Sequence, residues 1–320
     1  MMLDVGLLIL GLAVLIVGGE FLVKGAVGIA KSFSISPLVI GMTVVSFGTS
    51  APELLVSVQS AVAGNPGIAI GNVVGSNIAN LALVLGLTVI IFPIISGRQT
   101  KIIDWPMMIL ATILFVFFSI DGWIELWEGV VLFTILVAFT ISLIIKSRRE
   151  NANNEPDEEE DIKKVPFWLS LVYLAAGLTG LYFGSEWLVG GAVNIATALE
   201  WDEHIIGLTI VAFGTSAPEL VASCVAAYRK QTDISLGNLI GSNIFNIMAV
   251  IGITGMVRPV AVDEKVLNYD FWWMGGIALV VGVMLFVGSK IGRFKGLLLF
   301  STYIIYIVLV VLKAKGILLF

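Results

Sequence analysis

Two glutamates, Glu53 and Glu219, stand in otherwise apolar stretches, and each ends the same hexapeptide, GTSAPE, at 48–53 and 214–219. A carboxylate with hydroxyls one turn away offers hard oxygen ligands, the type that Ca²⁺ gathers in sets of roughly six to eight. On an ideal helix, Ser46, Thr49, Ser50, Glu53 and Ser57 share an arc of about 100°. Thr215, Ser216, Glu219 and Ser223 repeat that polar face, with Ala212 where Ser46 stood. A second pair of motifs, GNVVGSNIAN at 71–80 and GNLIGSNIFN at 237–246, spaces Asn72, Ser76 and Asn80, and then Asn238, Ser242 and Asn246, by four residues. These are further oxygen-rich stripes. Pro52 and Pro218 cannot donate to the carbonyls of Gly48 and Gly214, so the spacing predicts bent turns that bare backbone oxygens.

Neither hexapeptide contains a Lys or Arg to neutralise its glutamate. A charged carboxylate inside a bilayer costs at least a few kcal/mol, so bound cations or protons must compensate it. Two carboxylates balance one Ca²⁺ or two Na⁺, and the two occupancies therefore compete for the same oxygens. Competition of this kind is the physical basis of exchange. No nucleophile–base pair and no cluster of His or Cys stands out, so no enzyme chemistry is expected. Nor is a cofactor or a nucleic-acid partner expected beyond the ions themselves.

The elements that must hold these residues are membrane spans. The chain of 320 residues is 58% hydrophobic and 13% charged, with a mean hydropathy of +1.03, too apolar for one water-soluble core. Ten runs are long enough to cross about 30 Å of hydrocarbon. They lie near 3–30, 36–63, 68–95, 103–120, 124–145, 166–197, 203–227, 232–257, 268–288 and 293–312. Continuous apolar runs indicate helices and exclude a barrel of short alternating strands. The first run has no basic start and continues through Glu20 and Lys24, so it reads as a span and not as a cleaved signal.

The motifs recur at a constant offset of 166 (46 to 212, 53 to 219, 71 to 237), as do Glu20 and Glu186, Pro93 and Pro259, and Asp104 and Asp270. Five spans per half is an odd number, which forces the second half to enter from the opposite face. The expected architecture is an all-α polytopic membrane protein, ten transmembrane helices as two inverted five-helix repeats, with its site near the midplane at interrupted helices. Residues 1–146 form the first repeat and 166–320 the second. Between them, 147–165 reads as an acidic cytoplasmic linker. Fourteen of the 18 Lys and Arg residues fall on the linker's side, which places both termini outside the cell membrane. A monomer in the lipid bilayer is the expected unit. Glu20 and Glu186 read as structural or interfacial, His204 as a loop residue, and Cys224 as inert packing.

At GTSAPE and GNxxGSNIxN the chain resembles the cation/Ca²⁺ exchanger superfamily, and most closely the prokaryotic Na⁺/Ca²⁺ exchangers. The resemblance covers essentially the whole chain. It implies that spans 1 and 6 slide as gates against a core of the other eight. It further implies that Glu53, Glu219, Thr49 and Thr215 hold Ca²⁺. Flanking Na⁺ positions would use the glutamates with Ser50, Ser76 and the Ser46 carbonyl, or with Ser216, Ser242 and the Ala212 carbonyl, and Asn80 would complete the centre. Asn246 belongs to the same oxygen-rich set, but it replaces an Asp found in well-known members, so their ion stoichiometry does not carry over. H⁺/Ca²⁺ exchange and a K⁺-dependent variant on the same fold stand as alternatives to Na⁺/Ca²⁺ exchange.

Overall fold

The computed structural model describes residues 2–153, 165–200, 212–288, 290–314 and 317. Its helices are α1 (Met2–Phe33), α2 (Pro37–Thr49), α3 (Ala51–Val62), α4 (Pro66–Ile91), α5 (Thr100–Phe118) and α6 (Leu126–Asn153) in the first half. The second half contributes α7 (Phe167–Ala198), α8 (Ala212–Thr215), α9 (Ala217–Tyr228), α10 (Thr232–Val257), α11 (Val266–Phe286) and α12 (Arg293–Ala314). Among the described residues, eight helices are long and apolar enough to cross a membrane, or nine when the bent pair α2 and α3 counts as one span. The expected span at 203–227 is represented by α8 and α9. Its opening residues, with His204, lie outside the described residues, as does 154–164 of the expected linker.

Burial sorts the helices into centre and periphery. The most apolar stretches of α4 and α10 are 78% and 83% buried, whereas those of α1, α6, α7 and α12 are only 22–28% buried. Outward-facing apolar side chains at those levels require lipid around them. One buried apolar cluster joins α4 and α10 to α5, α6, α11 and α12, while a second joins α1 and α7 to Ile40, Val45, Ala217, Ala222 and Ala226.

Along one stripe the α1–α7 contact brings backbone against backbone. Gly11, Gly18 and Gly25 recur every seven residues on α1 and meet Gly184, Gly177 and Ser170 in reverse order, so the two helices run antiparallel. A methyl on Gly11 would sit 2.6 Å from the Leu188 nitrogen, and one on Gly18 would sit 2.9 Å from the Leu181 nitrogen. Only glycine permits such an approach.

Between the halves, contacts come in exchanged pairs. Gly86 on α4 abuts Gly296 on α12, and Gly252 on α10, which matches Gly86 at the offset of 166, abuts Gly129 on α6. Four two-residue strands, not anticipated from the sequence, do the same: β1 (Ile94–Ile95) pairs antiparallel with β4 (Lys290–Ile291), and β2 (Trp123–Ile124) with β3 (Val260–Ala261).

One boundary differs from expectation. α6 continues to Asn153, seven residues beyond 146, because its polar end finds partners. Lys146 pairs with Glu150 one turn on at 3.7 Å, Ser147 accepts from the Ser36 amide at 2.7 Å, and Asn151 donates to the Ser34 carbonyl at 3.1 Å.

Candidate functional site

α2 starts at a capped end, where Ser36 accepts from the Val39 amide and Pro37 takes the first helical position. It stops at Ser50, whose φ of −91° and ψ of 6° leave the helical region, and α3 resumes bent by 44°. Ser216 repeats the break between α8 and α9 with φ −89° and ψ 2°. The cause lies in the sequence: Pro52 and Pro218 each remove one helical donor and crowd the preceding turn. Both glutamates occupy the first turn of the helix that resumes. There the positive end of the helix dipole favours a carboxylate, while the preceding half-helix presents carbonyls that favour a cation.

The polar arc closes inward as the helical period requires. Ser46, Thr49, Ser50, Glu53 and Ser57 are all buried, while Phe47, Leu55 and Val56 between them face outward. Glu53 is 1% exposed and Glu219 is fully buried. The halves interlock here: the Ser50 hydroxyl donates to Glu219 Oε1 at 3.1 Å, and the Thr49 hydroxyl donates to Asn238 Oδ1 at 3.2 Å. Ser76, Asn80, Ser216, Ser242 and Asn246 are buried as well, and Thr215 is half-buried at the end of α8. Ser46 turns its hydroxyl to the Met42 carbonyl at 2.6 Å. Ala212 opens α8, and its side chain lies outside the description.

Hydrogen bonds divide these residues into braces and open ligands. Asn72 donates to Ser57 and Asn238 donates to Ser223, both at 3.1 Å, so the first asparagine of each stripe braces the glutamate helix. Among the described residues, twelve buried side-chain nitrogen and oxygen atoms make no hydrogen bond, and eight of them belong to Glu53, Glu219, Ser216, Ser242, Asn80 and Asn246. An orphaned buried polar atom costs about 1–3 kcal/mol. Its concentration in one repeated set marks oxygens shaped for a partner other than protein. Among the described residues, no three His, Cys, Asp or Glu side chains gather in one place. The donor set is therefore two carboxylates with neutral oxygens, suited to hard cations and unlike thiolate or imidazole sites.

Asn77 was not singled out from the sequence. It is buried, accepts from Asn246 Nδ2 at 3.2 Å and donates to the Asn243 carbonyl at 3.4 Å, joining α4 to α10. Its position one residue beyond the Ser76 stripe concealed it; α4 and α10 widen into π-helical turns just after the two GSN triplets, at Ala79–Val84 and Asn246–Ile251. The asparagine of each GSN triplet, Asn77 and Asn243 at the same offset, was the available signal. Glu20 lies apart from the cage and holds Arg229, and Cys224 packs 3.5 Å from the Thr88 hydroxyl.

The bracing role of Asn238 carries a prediction. Asn238→Leu removes the bonds to the Thr49 and Ser223 hydroxyls at once, leaving Thr49 only its long contact to the Ser46 carbonyl at 3.4 Å, and is expected to lower the melting temperature of the purified protein. Asn72→Leu, at a half-buried position, is expected to lower it less. Thermal unfolding followed by tryptophan fluorescence in detergent checks the order; equal midpoints for the two variants would remove the distinction.

Comparison with known proteins agrees with this geometry. Residues 3–145 and 169–312 match the family profile described as sodium/calcium exchanger protein. The membrane protein MJ0091 of Methanocaldococcus jannaschii is 37% identical over 316 residues, covering 96% of this chain and 98% of its own length. The sodium/calcium exchanger MaX1 of Methanosarcina acetivorans is 30% identical over 338 residues, covering 94% of this chain and 97% of its own. The solved structure of the sodium-calcium exchanger NCX_Mj, soaked with zero Na⁺ and Ca²⁺, superposes with a TM-score of 0.83 at 35% identity, covering 97% of this chain and 99% of that one. A second structure of NCX_Mj, soaked with 10 mM Na⁺ and 10 mM Sr²⁺, also gives 0.83, at 36% identity. With its two matched blocks, its broken glutamate helices and its whole-chain structural likeness, this multi-pass helical membrane protein belongs to the sodium/calcium exchanger family.

Proposed function

We propose that this chain exchanges Na⁺ for Ca²⁺ across the cell membrane by alternating access, with the ions bound between Glu53 and Glu219. The observation that carries the reading is the concentration of unpartnered buried oxygens on the two glutamates and their repeat-related serines and asparagines. Relatives named sodium/calcium exchangers support the choice of ions.

In this reading Glu53, Glu219, Thr49 and Thr215 hold Ca²⁺. Ser50, Ser76 and the Ser46 carbonyl, or Ser216, Ser242 and the Ala212 carbonyl, join the glutamates around Na⁺, and Asn80 completes the centre. Asn246 gives its amide nitrogen to Asn77, so only its Oδ1 is available to an ion. The carboxylates carry two negative charges into a dry site, and that charge resists reorientation unless Ca²⁺ or Na⁺ screens it. α1 and α7 form the moving pair, because they pack on each other along a glycine stripe and their apolar cluster is separate from the core.

The architecture in this proposal is ten spans in two inverted halves, 1–146 and 166–320, joined by the acidic segment 147–165. The exchanged contacts Gly86–Gly296 and Gly129–Gly252, with the two exchanged strand pairs, support a two-fold axis in the membrane plane. The unit is a monomer with both termini outside.

The test is radiocalcium uptake into proteoliposomes. An outward Na⁺ gradient is expected to drive uptake at least about tenfold above the ion-balanced control, which corresponds to a bias of roughly 1.4 kcal/mol or more. A pH gradient without Na⁺ is expected to drive none. Uptake driven by the pH gradient alone would replace Na⁺ with H⁺ in this proposal, and uptake requiring K⁺ would add K⁺ to it.

A further inference from the structure

Among the described residues, the polar tethers between the α1–α7 pair and the broken glutamate helices fall unevenly on the two halves. Ser185 on α7 donates from its hydroxyl to the Gly214 carbonyl at 2.7 Å. That carbonyl is the one whose helical donor Pro218 removes. Glu20 on α1 holds Arg229, just beyond the end of α9, with Nε 3.0 and 2.9 Å from the two carboxylate oxygens and a terminal guanidinium nitrogen 2.6 Å from Oε2. At the offset of 166, the first half has Gly19 in place of Ser185 and Ala63 in place of Arg229. Neither residue can make the corresponding bond. Gly48, the match of Gly214, packs against the Leu178 side chain instead.

We infer that Ser185 is a positioning residue that ties α7 to the broken helix α8–α9, and so makes one facing state of the exchanger more populated than the other. The inference rests on the alternating-access reading above. The Gly214 carbonyl lies beside Thr215 and Ser216, inside the bilayer, and has no helical N–H to return to. When α7 moves past α8, this carbonyl loses its donor, whereas Gly48 has no such bond to lose. The two directions of motion therefore differ in free energy although the repeats are nearly alike. The Glu20–Arg229 pair, on the other moving helix and the same half of the core, biases the motion in the same sense.

A population bias has a measurable signature. The apparent affinity at each face is the intrinsic affinity reduced by the fraction of molecules open to that face. Removing one hydrogen bond shifts the ratio of the two states by roughly five-fold. It raises the half-saturating concentration at one face and lowers it at the other. A residue that merely supports the fold would instead change both faces alike.

The experiment measures half-saturating Ca²⁺ at each face in right-side-out and inside-out vesicles. Ser185→Ala is expected to change the ratio of the two values by about five-fold, Ser185→Thr to restore the wild-type ratio, and Arg229→Gln to move it in the same direction as Ser185→Ala. An unchanged ratio in Ser185→Ala, or equal shifts at both faces, overturns the inference. If Ser185→Ala does not reach the membrane, Ser185→Cys, with a weaker donor of similar volume, is measured in the same way. Failure here is distinct from failure of the exchanger reading, which shows separately as uptake that persists without Glu53 or Glu219.

Discussion

Glu53→Ala and Glu219→Ala are each expected to reduce Na⁺-driven radiocalcium uptake to background while the protein still folds and inserts. Each glutamate is buried, and between them they carry three of the unpartnered oxygens of the site. Removing one partner of a buried charge interaction costs about 3–5 kcal/mol. That is a loss of roughly a hundred-fold or more in affinity. A second readout separates lost binding from lost structure. Without ions, two buried carboxylates repel and lack solvent, so deleting one is expected to raise the melting temperature in ion-free buffer. The stabilisation that Ca²⁺ confers on wild type is expected to vanish. Full uptake in both variants would remove Glu53 and Glu219 from the site. The two glutamates are not equivalent here: Ser50 holds Glu219, while the matching hydroxyl of Ser216 and both oxygens of Glu53 make no hydrogen bond.

Gly18→Leu is expected to lower exchange at least tenfold. Even a methyl at this position would come within 2.9 Å of the Leu181 nitrogen, so a leucine must drive α1 and α7 toward the 8–10 Å or so of ordinary helix packing. Such a pair is wedged open and cannot keep its register while moving. Gly6→Leu is the matched control, because a methyl at Gly6 meets nothing within 4 Å on the same helix. Uptake, with size-exclusion chromatography to verify folding, distinguishes the two; equal activity in both would show that the seam is not where motion occurs.

The places for helices could be read from the chain because a bilayer imposes a fixed length and excludes unpaired backbone. The inward turn of Ser46, Thr49, Ser50, Glu53 and Ser57 followed from helical period alone, and the breaks at Ser50 and Ser216 followed from proline chemistry. Other features depend on contacts between distant segments. The extension of α6 to Asn153 rests on Ser34 and Ser36, more than a hundred residues earlier. Asn77 came into view only through its bond to Asn246, 169 residues away. The tether at Ser185 required α7 to lie against α8, which no local pattern encodes. Gly71 and Gly75 have no neighbour within 4 Å of an added methyl among the described residues, whereas Gly237 and Gly241, identical in type at the offset of 166, press on Leu38 and Met42.

The exchanged strand pairs bear on how the chain is made. β1 is synthesised long before β4, and β2 before β3, so each early strand leaves the ribosome with its backbone partner still untranslated. Gly86 and Gly129 likewise wait for Gly296 and Gly252. The nascent first half is thus an unfinished surface held in the membrane, and its maturation waits for β4 and α12 of the second half.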